Sequence, residues 1–347
     1  MSPPVANPIA ATSRVNNERE ALLSSIKGQI ITIPDLKPDF NDWKGIQSRH
    51  VSPWLEPLRE KVRTRLEIFD FDKAKRDRLE AADFALFTSL WWPDTPSLAH
   101  SEILAYLVIW LFTWDDEIDE PTGAYTDDAR GAQTYRDHTL QFVGACLGLH
   151  EHGFRPQNRI VQSFDAIGNA MSASYDLCQR QRFFDEIARF MMASEAEQVC
   201  RLHGRLFTLE EYWQVRMGTS AVYIGSAAGE FSMGCSSPLP LEVMQCSAMK
   251  ALWDETNIII SITNDLLSLR KEMKLGCIDS IVPLTFAVTK DLQVASSAVL
   301  TSLRASKKRF DEAASMLSMG DSSWTEVESG VQKQIERFIQ VQRSNCP

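Results

Sequence analysis

The chain lacks any apolar run long enough to cross a membrane. Its longest predominantly apolar stretch, LAYLVIWLFTW, covers the 11 residues from 104 to 114, whereas a membrane helix needs about 20. The opening residues, MSPPVANPIAATSRVNNERE, contain no basic segment followed by an apolar one, so they predict no secretory signal. The sequence therefore predicts a soluble, cytoplasmic protein without a membrane span.

Closely spaced cysteines and an excess of positive charge are also missing. The seven cysteines are scattered without a C-x-x-C pair, which predicts reduced thiols rather than a disulfide framework or a zinc ribbon. Lys and Arg total 36 against 46 Asp and Glu, a formal net charge of -10, which argues against a nucleic-acid partner. The motifs G-x-G-x-x-G, the P-loop, H-E-x-x-H and G-x-S-x-G are absent, which argues against the enzyme classes that depend on them.

Signals for β-strands are few, and helical periodicity dominates beyond the first 50 residues. Residues 1–50 are interrupted by prolines and predict a loose tail and strap, with at most one short helix near 17–27. From residue 51 onward apolar residues recur every three or four positions, which is typical of amphipathic helices. We predict an all-α domain over 51–347, with about ten helices.

One cluster of acidic residues ends the most apolar predicted helix. Asp115 and Asp119 share a helical face, and Asp116 reaches Asp119. Carboxylates at a helix C-terminus repel one another and oppose the macrodipole, so a divalent cation such as Mg²⁺ would stabilise them. The alternative is a solvated acidic helix end, against which the preceding apolar run argues. The segment SEAEQ, at 194–198, is interpreted as a solvated helix face.

A second polar stripe is embedded in an apolar helix. Asn264, Ser268 and Glu272 stand four residues apart, so an amide, a hydroxyl and a carboxylate line one face. All three are oxygen ligands, which suit Mg²⁺ rather than zinc. An ordinary polar face is the alternative, but the neighbouring Leu266 and Leu267 favour a buried stripe with partners.

Together these clusters resemble the two metal motifs of class I terpene synthases, D-D-x-x-D/E and N-D/E-x-x-S/T-x-x-K/R-D/E. The matching residues are Asp115-Asp116-x-x-Asp119 and Asn264-Asp-x-x-Ser268-x-x-Lys271-Glu272. The wording W-D-D-E-I-D-E is similar to that of fungal sesquiterpene cyclases, and the resemblance extends from about residue 40 to the end. It implies a helical bundle or barrel around a central active-site cavity, with both motifs at its mouth.

The resemblance also implies a diphosphate-sensing arginine beside a helix kink. The segment LEEYWQVRMGTSAVYIG offers Arg216 for this role and Gly218 for the kink, because glycine lets a helix bend. Thr219 or Ser220 would occupy the linker position. Lys271, with Arg270 beside it, would add contacts to the diphosphate.

The function implied by the resemblance is ionisation and cyclisation of a prenyl diphosphate, most simply farnesyl diphosphate, with three Mg²⁺ ions. The resulting carbocation requires a dry cavity, and aromatic faces stabilise cations. We expect Phe112, one turn before Asp115, to line the cavity, with Phe87 and Trp253 as further candidates. A monomer or a homodimer is expected, and the sequence does not distinguish between them.

One departure from the family concerns the C-terminal region. Family members carry an Arg-Tyr pair on a further helix, whereas the last segment here reads ESGVQKQIERFIQVQRSNCP. Arg337-Phe338 comes too early and lacks the hydroxyl, so we expect the closing segment to be missing, with weak turnover and hydroxylated or linear products. Two alternatives stay open: a relative that binds diphosphate without turnover, and a chain-elongating prenyltransferase. The latter would show two D-D-x-x-D motifs.

Overall fold

The computed structural model describes residues 18–43, 51–151, 153–234, 238–319 and 329–346, and every regular element within these ranges is a helix. The prediction of an all-α fold is therefore confirmed. A short 3₁₀ helix occupies Lys37–Phe40. The α-helices are α1 (18–26), α2 (Leu55–Leu66), α3 (Lys73–Ala81), α4 (Phe84–Trp91), α5 (Leu98–Asp119), α6 (Ala129–Cys146), α7 (Arg159–Gln162), α8 (Asp165–Ser174), α9 (Leu177–Leu202), α10 (Leu209–Thr219), α11 (Val222–Ala227), α12 (Gly229–Ser232), α13 (Leu241–Gln245), α14 (Ser247–Leu275), α15 (Ile281–Thr289), α16 (Leu292–Met319) and α17 (Ser329–Asn345).

Eight of these helices form a closed ring. Each packs against the next in the order α5, α8, α6, α9, α11, α14, α17 and α4, and α4 returns to α5. Helix α2 packs against α4 and α5, while α15 and α16 cover the side of α14. A closed ring of helices can enclose an interior space, with sites formed by side chains from facing helices.

Helix α5 is the buried wall of this ring. Its N-terminus is capped by Ser97, whose side chain accepts a hydrogen bond from the backbone N–H of His100. Leu104, Trp110 and Trp114 are completely buried, and the Trp114 indole donates a 2.9 Å hydrogen bond to the Thr139 hydroxyl on α6. The apolar run read from the sequence is therefore a central helix that ends at the acidic cluster.

Several helices predicted as continuous are interrupted, which explains why seventeen α-helices are described where about ten were expected. The stretch 208–229 is divided into α10, α11 and α12. Its first break lies at Ala221, a non-glycine residue with a left-handed φ of 57°. The expectation that Gly218 forms the kink is wrong, because Gly218 lies inside α10. A Cβ atom added there would lie 2.4 Å from the Ala193 Cβ, so glycine at this position permits close packing of α9 and α10.

This contact predicts the effect of a substitution. Gly218→Ala is expected to lower the free energy of unfolding by about 1–3 kcal/mol, because overpacking forces neighbouring groups to shift. Gly330→Ala is the matched control, since a Cβ added at Gly330 meets nothing within 4 Å. Urea denaturation of both variants checks the prediction. Equal stability of G218A and the wild-type chain would contradict it.

The N-terminal strap is packed rather than loose. Leu22 and Ile26 of α1, together with Phe40 and Trp43, belong to the buried core. The Trp43 indole donates a 2.7 Å hydrogen bond to Asp311 on α16. Residues 1–17 and 44–50, which complete the predicted tail and strap, lie outside the described ranges, and the predicted domain limits at 50 and 51 stay predictions.

Two smaller expectations concern membranes and cysteines. Within the described residues, no helix combines the length and apolarity that crossing a bilayer requires. The six cysteines described there are all free thiols: Cys146, Cys178, Cys200, Cys246, Cys277 and Cys346.

Candidate active site

Arg216 lies where the second motif meets α10. One of its terminal nitrogens, Nη2, donates 2.8 Å hydrogen bonds to Asn264 Oδ1 and to Asp265 Oδ1 on α14. The other Asp265 oxygen accepts hydrogen bonds from the Tyr212 hydroxyl at 2.6 Å and from the backbone N–H of Ile281 at 2.7 Å. Asp265 therefore fixes the orientation of Arg216, which suits planar recognition of phosphate oxygens.

The polar stripe on α14 has the geometry expected from its four-residue spacing. The Ser268 hydroxyl lies 2.6 Å from the Asn264 carbonyl oxygen and 2.6 Å from Glu272 Oε1. Burial raises the pKa of Glu272, an effect that the Ser268 hydrogen bond opposes. Lys271 and Arg270 are exposed on the same helix, where long cationic side chains can reach a bound anion.

The aspartates of the first motif do not share one environment. Burial, with the negative charges of Asp119 and Glu197, raises the pKa of Asp115 well above its usual value, while Arg216 acts in the opposite direction. The side chain of Asp116 instead faces α3, with an oxygen 3.8 Å from Arg78 Nη2. Asp115 is therefore within electrostatic reach of Arg216, whereas Asp116 is turned towards a basic residue of α3.

Glu197 is a functional candidate that sequence reasoning missed. Burial, together with the charge of Asp119, raises the pKa of Glu197 to about 8, and Arg216 opposes the shift. The interpretation of 194–198 as a solvated face holds for the exposed Glu195 and Ala196. It is wrong for Ser194 and Gln198, which are 2% and 1% exposed. Both accept hydrogen bonds from Arg136 on α6. Ser194 and Gln198 stand four residues apart, one helical turn. This spacing was the sequence signal that one face of the segment is buried.

The break after α10 leaves backbone groups for other partners. The Ser220 hydroxyl lies 2.8 Å from Asn257 Oδ1, and Asn257 Nδ2 donates a 2.8 Å hydrogen bond to the Met217 carbonyl. The buried Thr219 hydroxyl lies beside Glu197 without a hydrogen bond of normal geometry. Asn257 therefore stabilises the break from α14, the helix that also carries the second motif.

Aromatic rings gather below the acidic end of α5. Phe112 is 48% exposed, although its helix neighbours Thr113 and Trp114 are completely buried. Its ring centroid lies 5.6 Å from that of Phe84 and 6.0 Å from that of Phe87, and Phe87 stacks on Trp91 at 4.9 Å. An exposed ring one turn before Asp115 suits a cavity wall.

Trp253 belongs to a separate aromatic group. It stacks on Tyr223 at 6.5 Å and on Phe338 at 6.3 Å between centroids. Phe338 is completely buried, while the neighbouring Arg337 donates a hydrogen bond to the Met233 carbonyl. The structure therefore brings Phe87 and Phe112 together and places Trp253 beside α17.

The chemistry of the donor set fits Mg²⁺, since the candidate side chains offer oxygen atoms only. Burial is the leading cause of the raised pKa values of Asp115, Asp119, Glu197 and Glu272. A cation would relieve their desolvation and repulsion. Among the described residues, no three His, Cys, Asp or Glu side chains already surround one point. Some of the donors already accept hydrogen bonds: Asn264 Oδ1 from Arg216, and Glu272 Oε1 from the Ser268 hydroxyl.

A closed helical ring with these acidic clusters defines the class of protein: the fold is that of class I terpene synthases. The solved structure of a-eudesmol synthase matches with a TM-score of 0.73 at 16% identity, over 85% of this chain and 92% of that one. Linalool/nerolidol synthase from Streptomyces clavuligerus, in complex with 2-fluorogeranyl diphosphate, matches with a TM-score of 0.72 at 17% identity. That match covers 85% of this chain and 97% of the other.

The chain belongs to the terpene synthase family. A family model described as terpene synthase family 2, C-terminal metal binding, matches residues 106–306. Sesquiterpene cyclase hepA of Aspergillus oryzae is 34% identical over 315 residues, covering 88% of this chain and 83% of the relative. Terpene cyclase braA of Annulohypoxylon truncatum is 25% identical, over 85% and 78% of the two chains. The family and the enzyme class predicted from the two motifs are confirmed, and metal binding is a property of the family.

Proposed function

We propose that this chain ionises and cyclises farnesyl diphosphate in a reaction that depends on Mg²⁺. The observation that supports this most directly is the position of Arg216, which hydrogen-bonds Asn264 of the second motif and lies within electrostatic reach of Asp115 of the first. The choice of farnesyl diphosphate is supported by the similarity to a relative named sesquiterpene cyclase.

The proposed roles follow from where each side chain lies. Asp115 and Asp119 on α5, with Asn264, Ser268 and Glu272 on α14, would hold the metal ions, three of which the family resemblance implies. Bound Mg²⁺ would stabilise negative charge on the leaving diphosphate. Asp116, turned towards Arg78, would contribute less.

The remaining proposed residues act on the substrate. Arg216 would donate hydrogen bonds to diphosphate oxygens, with Lys271 adding charge. Thr219 and Ser220 would keep the break after α10 in place. Phe112 and Phe87 would present aromatic faces to the hydrocarbon and exclude water, whereas Trp253 would act more remotely from beside α17.

Incubation with geranyl, farnesyl and geranylgeranyl diphosphates, with Mg²⁺ or with a chelator, tests the proposal. Released diphosphate and volatile products would be measured. A hydrocarbon or alcohol from farnesyl diphosphate that requires Mg²⁺ is the expected result. Diphosphate binding without product would support the non-catalytic alternative. Adding isopentenyl diphosphate tests the other alternative, since only an elongating enzyme would make a longer prenyl diphosphate.

Binding of Mg²⁺ with diphosphate is expected to release protons from the protein at pH 7. Burial and the Asp119 charge raise the pKa of the Glu197 carboxyl to about 8, so this group is mostly protonated at pH 7 without metal. A cation bound by the neighbouring Asp119 would favour the ionised form of Glu197 and displace its proton. The apparent affinity of the protein for Mg²⁺ with diphosphate should therefore rise as the pH increases from 6 towards 8.

Isothermal titration with inorganic diphosphate and Mg²⁺, in two buffers of different ionisation enthalpy, counts the protons released. The same titration without protein corrects for protons lost by diphosphate itself. Glu197→Gln should release about one proton fewer than the wild-type chain. Equal proton counts for both proteins would contradict the assignment.

A further inference from the structure

Arg19 on α1 joins two loops that are far apart in the sequence. Its guanidinium donates two hydrogen bonds to Asp279, Nη1 to Oδ1 at 2.9 Å and Nη2 to Oδ2 at 2.5 Å. The same Nη1 donates a 2.7 Å hydrogen bond to the backbone carbonyl of Arg205. The side chains of Arg19 and Asp279 are only 18% and 19% exposed, and such two-point pairs are among the stronger charged contacts in proteins.

Both loops support the candidate active site. Arg205 lies between α9 and α10 and binds Glu211 in the first turn of α10, the helix that carries Arg216. Asp279 lies between α14 and α15, two residues before Ile281, whose N–H binds Asp265. Asp265 in turn holds Arg216. Arg19 therefore connects the start of the Arg216 helix to the loop that completes the Asp265 contacts.

The rest of α1 keeps Arg19 in this position. Leu22 and Ile26, one and two turns further along, are each 7% exposed and belong to the core. Leu23 lies against Gly276 at the end of α14, immediately before the loop that contains Asp279. The anchored helix fixes the backbone of the arginine, so little backbone entropy is lost when its three hydrogen bonds form.

Pairing with Arg19 also neutralises a carboxylate whose charge acts on the candidate active site. The negative charge of Asp279 contributes to the raised pKa values of Asp119 and Glu197. An unpaired Asp279 would add repulsion towards an incoming diphosphate. The hydrogen bonds of Arg19 and its charge therefore both indicate that the N-terminal helix supports the candidate active site.

We propose that Arg19 is a positioning residue for the diphosphate half of the active site, acting through Asp279 and the Arg205 carbonyl. This inference rests on the proposed function. Loss of the arginine side chain would loosen both loops and weaken diphosphate binding, while the aromatic rings of α4 and α5 would keep their contacts with one another.

The test compares Arg19→Gln with a matched control, Arg304→Gln. Arg304 also makes a two-point pair with an aspartate of the N-terminal region, Asp39, at 2.9 and 3.3 Å. Arg304 itself lies on α16, the helix that covers the side of α14. Both variants should fold, since each retains the apolar contacts of the strap.

Hydrogen–deuterium exchange of the metal-free proteins tests the connection independently of any activity. R19Q should exchange faster than wild type at the amides of both 204–206 and 277–281, and R304Q should not. Unchanged exchange in these loops would overturn the proposal whether or not the chain turns over a prenyl diphosphate.

Titration with inorganic diphosphate and Mg²⁺ tests the functional consequence. R19Q should bind diphosphate about tenfold more weakly than the wild-type chain and show a similarly raised KM for the prenyl diphosphate. Its kcat should change less than about threefold. R304Q should match the wild-type chain in all three quantities. Asp279→Asn added to R19Q should cause little further loss, because both residues act in one contact. Equal affinity of R19Q and R304Q would overturn the proposal. A wild-type chain that binds diphosphate but makes no product would contradict only the proposed function.

Discussion

Replacing Arg216 by lysine is expected to lower kcat about 100-fold. Lysine keeps the positive charge but lacks the planar fork, in which Nη2 contacts both Asn264 and Asp265 and the other nitrogens would be left for diphosphate oxygens. Removing one preorganised donor from a site where negative charge develops costs about 100-fold or more in rate. Steady-state kinetics with farnesyl diphosphate and saturating Mg²⁺ would measure the loss.

The chain provides a closely matched control for this substitution. Arg182 pairs with Glu230 at 2.9 Å, and the two side chains are 21% and 2% exposed. Arg216 and Asp265 are 2.8 Å apart with the same two exposures. Arg182→Lys should therefore lower thermal stability as much as R216K does, because both weaken a buried ion pair.

The two variants should differ only in catalysis. R182K should keep turnover within about threefold of the wild-type value, because its pair lies between α9 and α12. Similar turnover in R216K and R182K would show that Arg216 is a structural residue, and its assigned role in diphosphate binding would be wrong.

Asp115→Asn is expected to reduce kcat/KM about 100-fold or more, and Asp116→Asn by less than about tenfold. The Asp115 carboxyl lies near Glu197, Asp119 and Arg216, whereas Asp116 faces Arg78. A bound metal contributes several kcal/mol to charge stabilisation, and each 1.36 kcal/mol is a factor of ten in rate.

The apparent Mg²⁺ affinity of both variants supplies a second measurement. D115N should require a higher Mg²⁺ concentration for half-maximal rate, while D116N should resemble the wild-type chain. Because the two substitutions are identical in kind and adjacent, the loss of one negative charge is common to both variants and cancels when their rates are compared. Equal losses in D115N and D116N would show that both aspartates act on the metal alike.

The fold and the motif residues could be predicted because their signals are local. Helix α5 follows from its apolar run and the Ser97 cap, and the four-residue spacing of Asn264, Ser268 and Glu272 determines that they share a face. The motif pattern could not distinguish Asp115 from Asp116. Their difference depends on the rotation of α5 against its neighbours, which is set by packing over the whole ring.

Other errors have the same physical origin. A glycine in a helical pattern suggested a kink at Gly218, but contact with Ala193 explains that glycine, and the break occurs at Ala221. No residue-type rule predicts a left-handed alanine, because tertiary contacts must offset its strain. Glu197 was missed because its acidic neighbours are distant in the chain: Asp119 stands 78 residues earlier and Asp279 stands 82 residues later.

Phe112 and Asp115 lie on one helix. On the proposed function, this limits the distance between the carbocation and the diphosphate once the bond between them is broken. Three residues of α-helix span about 4.5 Å, so an aromatic face and a carboxylate stand within a single turn. On the proposed function, a newly formed cation beside Phe112 starts close to the departing diphosphate. That leaving group would then be a Brønsted base close to the cation, and the product would depend on whether rearrangement outpaces deprotonation by it.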